Sequence, residues 1–195
     1  MWEERFGREN FFYGESPNDF LRACAPLIPA GAAVLCIAEG EGRNAVFLAE
    51  RGAYVTAVDF SEAGRAKALR LASQRGVELT YLVSPLQDFD FGVERWDAVV
   101  SIFAHLPSAI RQPVYHRLLR SLRRGGRFFI EAYTPAQLGH GTGGPKDLDM
   151  LSSCAILRSE LPDLTWSTLV ERERMIAEGE GHQGLSAVVQ GIGER

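Results

Sequence analysis

The stretch Val34-Leu35-Cys36-Ile37-Ala38-Glu39-Gly40-Glu41-Gly42-Arg43-Asn44-Ala45 runs from an apolar strand through a glycine turn into a helix. Glycines let a backbone pass close to a ligand, and the helix start beyond them offers unpaired N–H groups with a partial positive charge. Gly40-x-Gly42-x-x-Ala45 also satisfies a loose dinucleotide fingerprint. Nineteen residues after Gly40, Asp59 closes the next apolar run in Thr56-Ala57-Val58-Asp59-Phe60-Ser61. A carboxylate there can accept both hydroxyls of a ribose. Helix capping would be a plainer duty for Asp59, but Ser61 is better placed for it. Both nicotinamide nucleotides and S-adenosylmethionine carry such a ribose. Pyrophosphate favours a neutral glycine turn, whereas Glu39 and Glu41 would repel it and suit the ammonium and sulfonium of S-adenosylmethionine.

Further candidates follow the later strands. Leu86, behind Ser84-Pro85, keeps an N–H for an adenine nitrogen. Ile102 and Phe103 can form an apolar wall against adenine or the methionine chain. His105 comes next, as an acceptor-site residue or a packing histidine. His182 lies among glycines in Glu178-Gly179-Glu180-Gly181-His182-Gln183-Gly184, either facing the acceptor or exposed on a loop, and Arg111 could orient an anion or make a surface ion pair.

The elements that must carry these residues can be read from periodicity. Near-continuous apolar runs at residues 33–38, 54–58, 78–83, 98–103 and 127–133 are strands covered on both faces, as in a parallel sheet between helix layers. Ser16-Pro17-Asn18-Asp19 predicts a helix capped by Ser16 through Cys24. Residues 44–51 form the helix after the turn, Ser61 caps a helix over 62–74 stopped by Gly76, and 108–122 is helical with a break at Pro113. Gly125-Gly126 turns the chain into the fifth strand. Residues 165–178 and 185–192, around a glycine-rich loop at 179–184, predict an antiparallel hairpin. The fold class is therefore α/β: a doubly wound, mainly parallel seven-stranded sheet with a C-terminal antiparallel hairpin, in one domain spanning 1–195. The aromatic start, Phe6, Phe11, Phe12 and Tyr13, is read either as a lid segment, residues 1–15, over an apolar pocket or as a segment packed on the sheet edge.

Composition narrows the partners. The chain has 195 residues, 46% of them hydrophobic, with 21 basic and 25 acidic side chains giving a net charge of −4. The missing basic excess argues against nucleic acid, and only Lys67 and Lys146 are lysines, so a polybasic membrane patch is not expected. Cys24, Cys36 and Cys154 form no CxxC pair, which predicts neither a disulfide framework nor a metal centre. The polar, acidic start lacks the basic and apolar regions of a secretion signal, and the chain reads as cytoplasmic.

Nearly the whole chain resembles the class I S-adenosylmethionine-dependent methyltransferases, and more narrowly their tellurite-resistance type. The resemblance rests on Tyr13-Gly14-x-x-Pro17-Asn18, Gly40-Glu41-Gly42-Arg43-Asn44-Ala45, Trp96-Asp97-x-x-x-Ser101-Ile102-Phe103-x-His105-Leu106-Pro107, Leu122-x-x-Gly125-Gly126, Gly143-Gly144-Pro145 and Glu178-Gly179-x-x-His182-x-Gly184. It implies methyl transfer from S-adenosylmethionine to a small-molecule acceptor, a tellurium or selenium oxyanion or a thiol. Cofactor contacts are then expected from Ala38, Glu39, Gly40, Glu41, Gly42, Arg43, Asn44, Asp59, Phe60, Ser61, Leu86, Ile102 and Phe103, with His105, His182 and Arg111 at the acceptor. Most members carry an acid where Cys36 stands and a glycine where Ala38 stands, so Glu39 or Glu41 must serve the methionine ammonium here. An NAD-dependent oxidoreductase and a noncatalytic binder of an adenosine ligand are the alternatives.

Overall fold

The computed structural model describes residues 2–195. Seven strands, β1 (Ala33–Ile37), β2 (Tyr54–Asp59), β3 (Thr80–Val83), β4 (Trp96–Ile102), β5 (Leu122–Tyr133), β6 (Thr165–Glu178) and β7 (His182–Glu194), form one sheet in the order β3-β2-β1-β4-β5-β7-β6. The first five pair in parallel, and β7 runs against both β5 and β6. This is the expected doubly wound sheet with its antiparallel end.

Alternation along the strands feeds two cores. Val34 and Cys36 of β1 face one side, with Leu21 of α2 (Asp19–Cys24), Leu48 of α3 (Arg43–Glu50) and Ala68 of α4 (Glu62–Arg75). Leu35 and Ile37 face the other, with Val114 and Leu118 of α5 (Ser108–Ser121) and Leu157 of α6 (Cys154–Glu160). Both faces of β1 are thus dry, which is why its sequence is apolar without interruption. The order of strands reverses between β1 and β4, so the crevice beyond their carboxyl ends is where a ligand fits.

Several boundaries differ from expectation for physical reasons. The cap of α2 is Asn18, whose side chain accepts from the Leu21 amide, and not Ser16. Pro113 lies inside an unbroken α5, because Val114, Tyr115, Leu118 and Leu119 bury along it and their packing outweighs one lost backbone bond. Gly125 and Gly126 fall within β5, where the pairing jumps from Trp96↔Leu122 to Ala98↔Arg127, so they absorb an irregularity and do not precede the strand. The hairpin turn is shorter than expected: β7 starts at His182, leaving residues 179–181 as the turn. Ser61 caps α4 and Gly76 ends it in the left-handed conformation, as expected. A short helix α1 (Trp2–Phe6) precedes them all.

Candidate active site

A cavity of about 450 Å³ opens at the carboxyl ends of β1, β2 and β4. Beyond β1 the backbone turns through Ala38 (φ 50°), Gly40 (φ 60°) and Gly42 (φ 89°) into α3. The left-handed angle at Ala38 costs a residue with a Cβ about 1 kcal/mol, the physical reason a glycine suits that position. Gly40 lines the cavity, and a Cβ on it would stand 3.0 Å from the Phe6 ring. Gly42 does not line it. A Cβ there would come within 2.4 Å of the Ala68 Cβ, so this glycine lets α3 and α4 approach and is not a ligand contact.

The two acids of the turn part ways. Glu39 lines the cavity, and its Oε1 accepts from the amides of Asn44 (3.0 Å) and Ala45 (2.8 Å) at the start of α3. Burial pushes its carboxyl up to about 7, against those two amides and Arg43. Glu41 instead points away. It pairs with Lys67 at 2.7 Å and accepts from the amides of Phe12 and Tyr13, tying the N-terminal segment to the core. An interior anion with a cation 26 residues away satisfies itself there, and Glu39 alone faces the cavity.

Asp59 is 6% exposed and lines the cavity. Its Oδ2 accepts from the Gly40 amide and its Oδ1 from the Ser61 amide, both at 3.0 Å, and burial raises its pKa. Each oxygen keeps a lone pair for a further donor. Phe60, 55% exposed, Asn44 and Leu86 also line the cavity. Ser61 does not: its hydroxyl caps α4 through the Gly64 amide and donates to Glu3.

The inner end is aromatic. Phe103 adopts φ 54°, a rare angle for a bulky residue, held by a hydrogen bond from its N–H to the Glu131 carbonyl and by stacking on Tyr133 at 4.7 Å. His182 packs edge-on against Phe103 (4.3 Å) and beside Tyr13 (4.4 Å), and His105 stacks over Tyr133 at 5.4 Å. Phe103 therefore belongs with the histidines and forms the far wall, while Ile102, also on the lining, ends β4. Both nitrogens of His105 and Nδ1 of His182 lack hydrogen-bond partners. Burial, with His182 nearby, pushes His105 down to about 3, and burial holds His182 below its ordinary value, so both imidazoles are neutral at pH 7. Arg43 lines the same end with Nη2 bonded to Glu178 and Nη1 unpartnered.

Arg111 is not in this cavity. It makes a two-pronged bond to Glu160 (2.8 and 2.9 Å) and donates to the carbonyls of Leu106 and Asp149, so its donors brace the loops around α5. The pairing spans 49 residues and leaves it no face for an acceptor.

Sequence reasoning missed the ring of polar residues behind Arg43. Glu131, wholly buried near the end of β5, accepts from Arg174 (2.8 and 2.7 Å), Gln190 (2.6 Å) and Asn18 (2.6 Å). The signal was there in Phe128-Phe129-Ile130-Glu131-Ala132-Tyr133, an acid inside an apolar strand that must have a partner. Over the outer side lies α1: Phe6 covers Gly40, Trp2 lines the cavity, and the Glu3 carboxylate accepts from the Ser61 hydroxyl and the Ala63 amide.

Residues 34–126, which hold the turn, Asp59 and His105, match the methyltransferase domain family. The seven-stranded sheet with its antiparallel end is the class I methyltransferase fold. A demethylmenaquinone methyltransferase of Clavibacter sepedonicus is 37% identical to this chain over 119 residues, 58% of the chain and 46% of that relative, so the match spans less than half of the larger protein. Among solved structures, NodS, an N-methyltransferase from Bradyrhizobium japonicum WM9 in complex with S-adenosyl-L-homocysteine, superposes with a TM-score of 0.73 at 13% identity, covering 100% of this chain and 96% of that one. TehB from Haemophilus influenzae gives 0.72 at 17% identity over 91% of this chain and 61% of its own. A protein that converts a disulfide bond into a thioacetal group during echinomycin biosynthesis gives 0.79 at 18% identity, covering 99% and 87%. These likenesses establish the methyltransferase fold. No helix among the described residues is long and apolar enough to cross a membrane.

Proposed function

We propose that the protein transfers a methyl group from S-adenosylmethionine to a small, soft nucleophile, a tellurium or selenium oxyanion or a thiol. One observation carries the reading: a single cavity is lined by the Glu39 and Asp59 carboxylates on the side of the glycine turn and by Arg43, His105 and His182 at its aromatic end. Its volume, about 450 Å³, is at the small end of ligand pockets, so a bound adenosine and methionine leave room for few acceptor atoms.

Asp59 accepts the ribose hydroxyls, Leu86, Ile102 and Phe60 flank the adenine, and Glu39 takes the methionine ammonium. The sulfonium supplies a methyl group already activated for attack, so the chain's work is alignment and exclusion of water. Arg43 Nη1 and His182 orient the acceptor, neutral His182 can take the proton of a thiol, and Phe103 backs the methyl. Of the expected lid, residues 1–15, Met1 lies outside the described residues; residues 2–15 act as the lid, with Phe6 over Gly40 and Glu3 latched to Ser61. The similarity to TehB favours an oxyanion, and the thioacetal-forming neighbour keeps a sulfur acceptor in the panel.

Calorimetry with S-adenosylmethionine, S-adenosylhomocysteine and NAD, followed by labelled-methyl transfer to tellurite, selenite and simple thiols, tests this. Binding of the first two and label in one acceptor class is the expected result; binding of NAD alone, or no label anywhere, would sink it.

Asp59→Ala should weaken S-adenosylmethionine binding by about 1–3 kcal/mol, the worth of charge-assisted bonds to the ribose. Unchanged affinity in a folded variant would remove Asp59 from the site.

Glu39 gives the binding a pH dependence of known sign. In the free protein its carboxyl titrates near 7, and an adjacent ammonium favours the ionised form, so binding expels a proton. Affinity should rise from about pH 5.5 to about pH 7, where the ligand amine stays protonated. Calorimetry in buffers of different ionisation enthalpy reads the released proton, and Glu39→Gln should abolish the release. A proton count near zero for the unaltered protein would contradict the assignment.

A further inference from the structure

Glu178, the last residue of β6, stands opposite His182, the first of β7, in the hairpin register. The turn between them is held from outside. The Glu180 amide donates to the Phe12 carbonyl at 2.8 Å, and a Cβ on Gly179 or Gly181 would come within 2.4 Å of Phe12 atoms, so the aromatic N-terminal strap seats directly on this turn. The pairing of Glu178 with His182 is thereby fixed by main-chain geometry.

The Glu178 carboxylate is 6% exposed and serves both ends of its surroundings. Oε1 accepts from Arg174 Nη2 and Asn18 Nδ2, each at 3.0 Å. Oε2 accepts from Arg43 Nη2 at 2.6 Å and lies 4.0 Å from His182 Nδ1. Two cavity groups therefore converge on one oxygen, and both retain an unpartnered nitrogen: Arg43, 6% exposed, at Nη1, and His182, 5% exposed, at Nδ1. Neither Arg111 nor His105 touches this carboxylate.

We propose that Glu178 is the positioning residue of the acceptor site: through Oε2 it fixes the Arg43 guanidinium so that Nη1 faces the cavity, and it selects the Nδ1–H tautomer of His182, leaving the Nε2 lone pair for the acceptor. The inference rests on the methyl-transfer reading of the cavity. The alternative tautomer would set the Nδ1 lone pair against a carboxylate oxygen, which is repulsive at close range. Closing 4.0 Å to a hydrogen bond needs about one ångström of ring movement, and such bonds tighten when a site fills. Burial alone would raise the Glu178 carboxyl, but His182, Arg43 and Arg174 together hold it well below the usual carboxylate range, so it is charged whenever the protein is folded near neutrality. Glu131 and Glu178 against Arg43 and Arg174 make the enclosed cluster electrically balanced, and a neutral His182 fits that balance.

Two-bond ¹H–¹⁵N correlation spectra of histidine-labelled protein, with His182 assigned by His182→Asn, read the tautomer directly. His182 should carry its proton on Nδ1 in the free and the S-adenosylhomocysteine-saturated protein, and Glu178→Gln, whose amide cannot accept at both positions, should lose that preference. An Nε2–H tautomer in the unaltered protein would overturn the proposal, and this arm stands even if the variant does not fold. So would a pure Nδ1–H signal in folded Glu178→Gln. With an acceptor from the panel, Glu178→Gln should lower kcat roughly 10-fold to 100-fold while S-adenosylhomocysteine affinity stays within about twofold; an equal fall in that affinity would assign Glu178 to the cofactor instead. If the unaltered protein binds no S-adenosylhomocysteine, the methyl-transfer reading fails, while the free-protein tautomer still decides the role of Glu178.

Discussion

Glu131→Ala should lower the folding free energy by about 3–5 kcal/mol, the usual cost of stripping one partner from a buried ion pair. Glu131 is fully buried and takes bonds from the half-buried Arg174 and the buried Gln190 and Asn18, so its removal leaves three donors facing a void. Arg174 keeps Glu178 at 3.0 Å, which places the loss toward the lower end of that range. For a chain of this length the melting temperature should fall by about 10 °C. Glu131→Gln, which retains the shape and part of the bonding, should lose less. Urea denaturation of both variants checks this, and a loss below about 1 kcal/mol for alanine would mean that the arginine is satisfied by water or by a rearranged Glu178.

Gly40→Val should remove S-adenosylmethionine binding, by about 100-fold or more, at a modest cost in stability. The residue holds φ 60°, where a branched side chain is strained, and the added atoms would enter the cavity against the Phe6 ring. Phe6 is the flexible partner here and can give way, so the fold survives better than the binding. Gly42→Val is the control with the opposite balance. Its Cβ would overlap the Ala68 Cβ and Cα at 2.4 and 2.7 Å, in the packed seam between α3 and α4, so it should unfold the protein before binding can be asked about. Calorimetry and melting curves on the pair separate the two effects. Ordinary affinity in the Gly40 variant would reduce that glycine to a turn former.

On the proposed reading Glu39, two residues beyond β1, takes the place of the acid that the resembling family carries where Cys36 stands. Cys36 points into the apolar core beside Val34 and is wholly buried, so no acid could be satisfied there with this packing. Glu39, three residues along, lines the cavity and is supported by the Asn44 and Ala45 amides at the start of α3. Beyond the left-handed angle at Ala38, the Glu39 amide is bonded to the Val58 carbonyl.

What the sequence determined by itself is what neighbouring residues encode. Apolar runs with no alternation could only be strands covered on both sides; Ser61 and Gly76 bracket α4 by side-chain capping and left-handed geometry; Asp59 sits at the end of β2 because the run that precedes it is the strand. The strand, turn and helix with Asp59 beside Gly40 was therefore readable, and so was the reversed final strand. Tertiary structure alone decided the partners of charges. Glu41 and Arg111 have sequence surroundings like those of cavity residues, yet Lys67 and Glu160, 26 and 49 positions away, draw them into closed ion pairs. The glycines around His182 predict a loop, but its pairing with Glu178 makes it the first residue of β7, packed against Phe103. A buried charge must find its counterpart wherever the fold brings one, at any separation in the chain, whereas strands and caps are settled within a few residues.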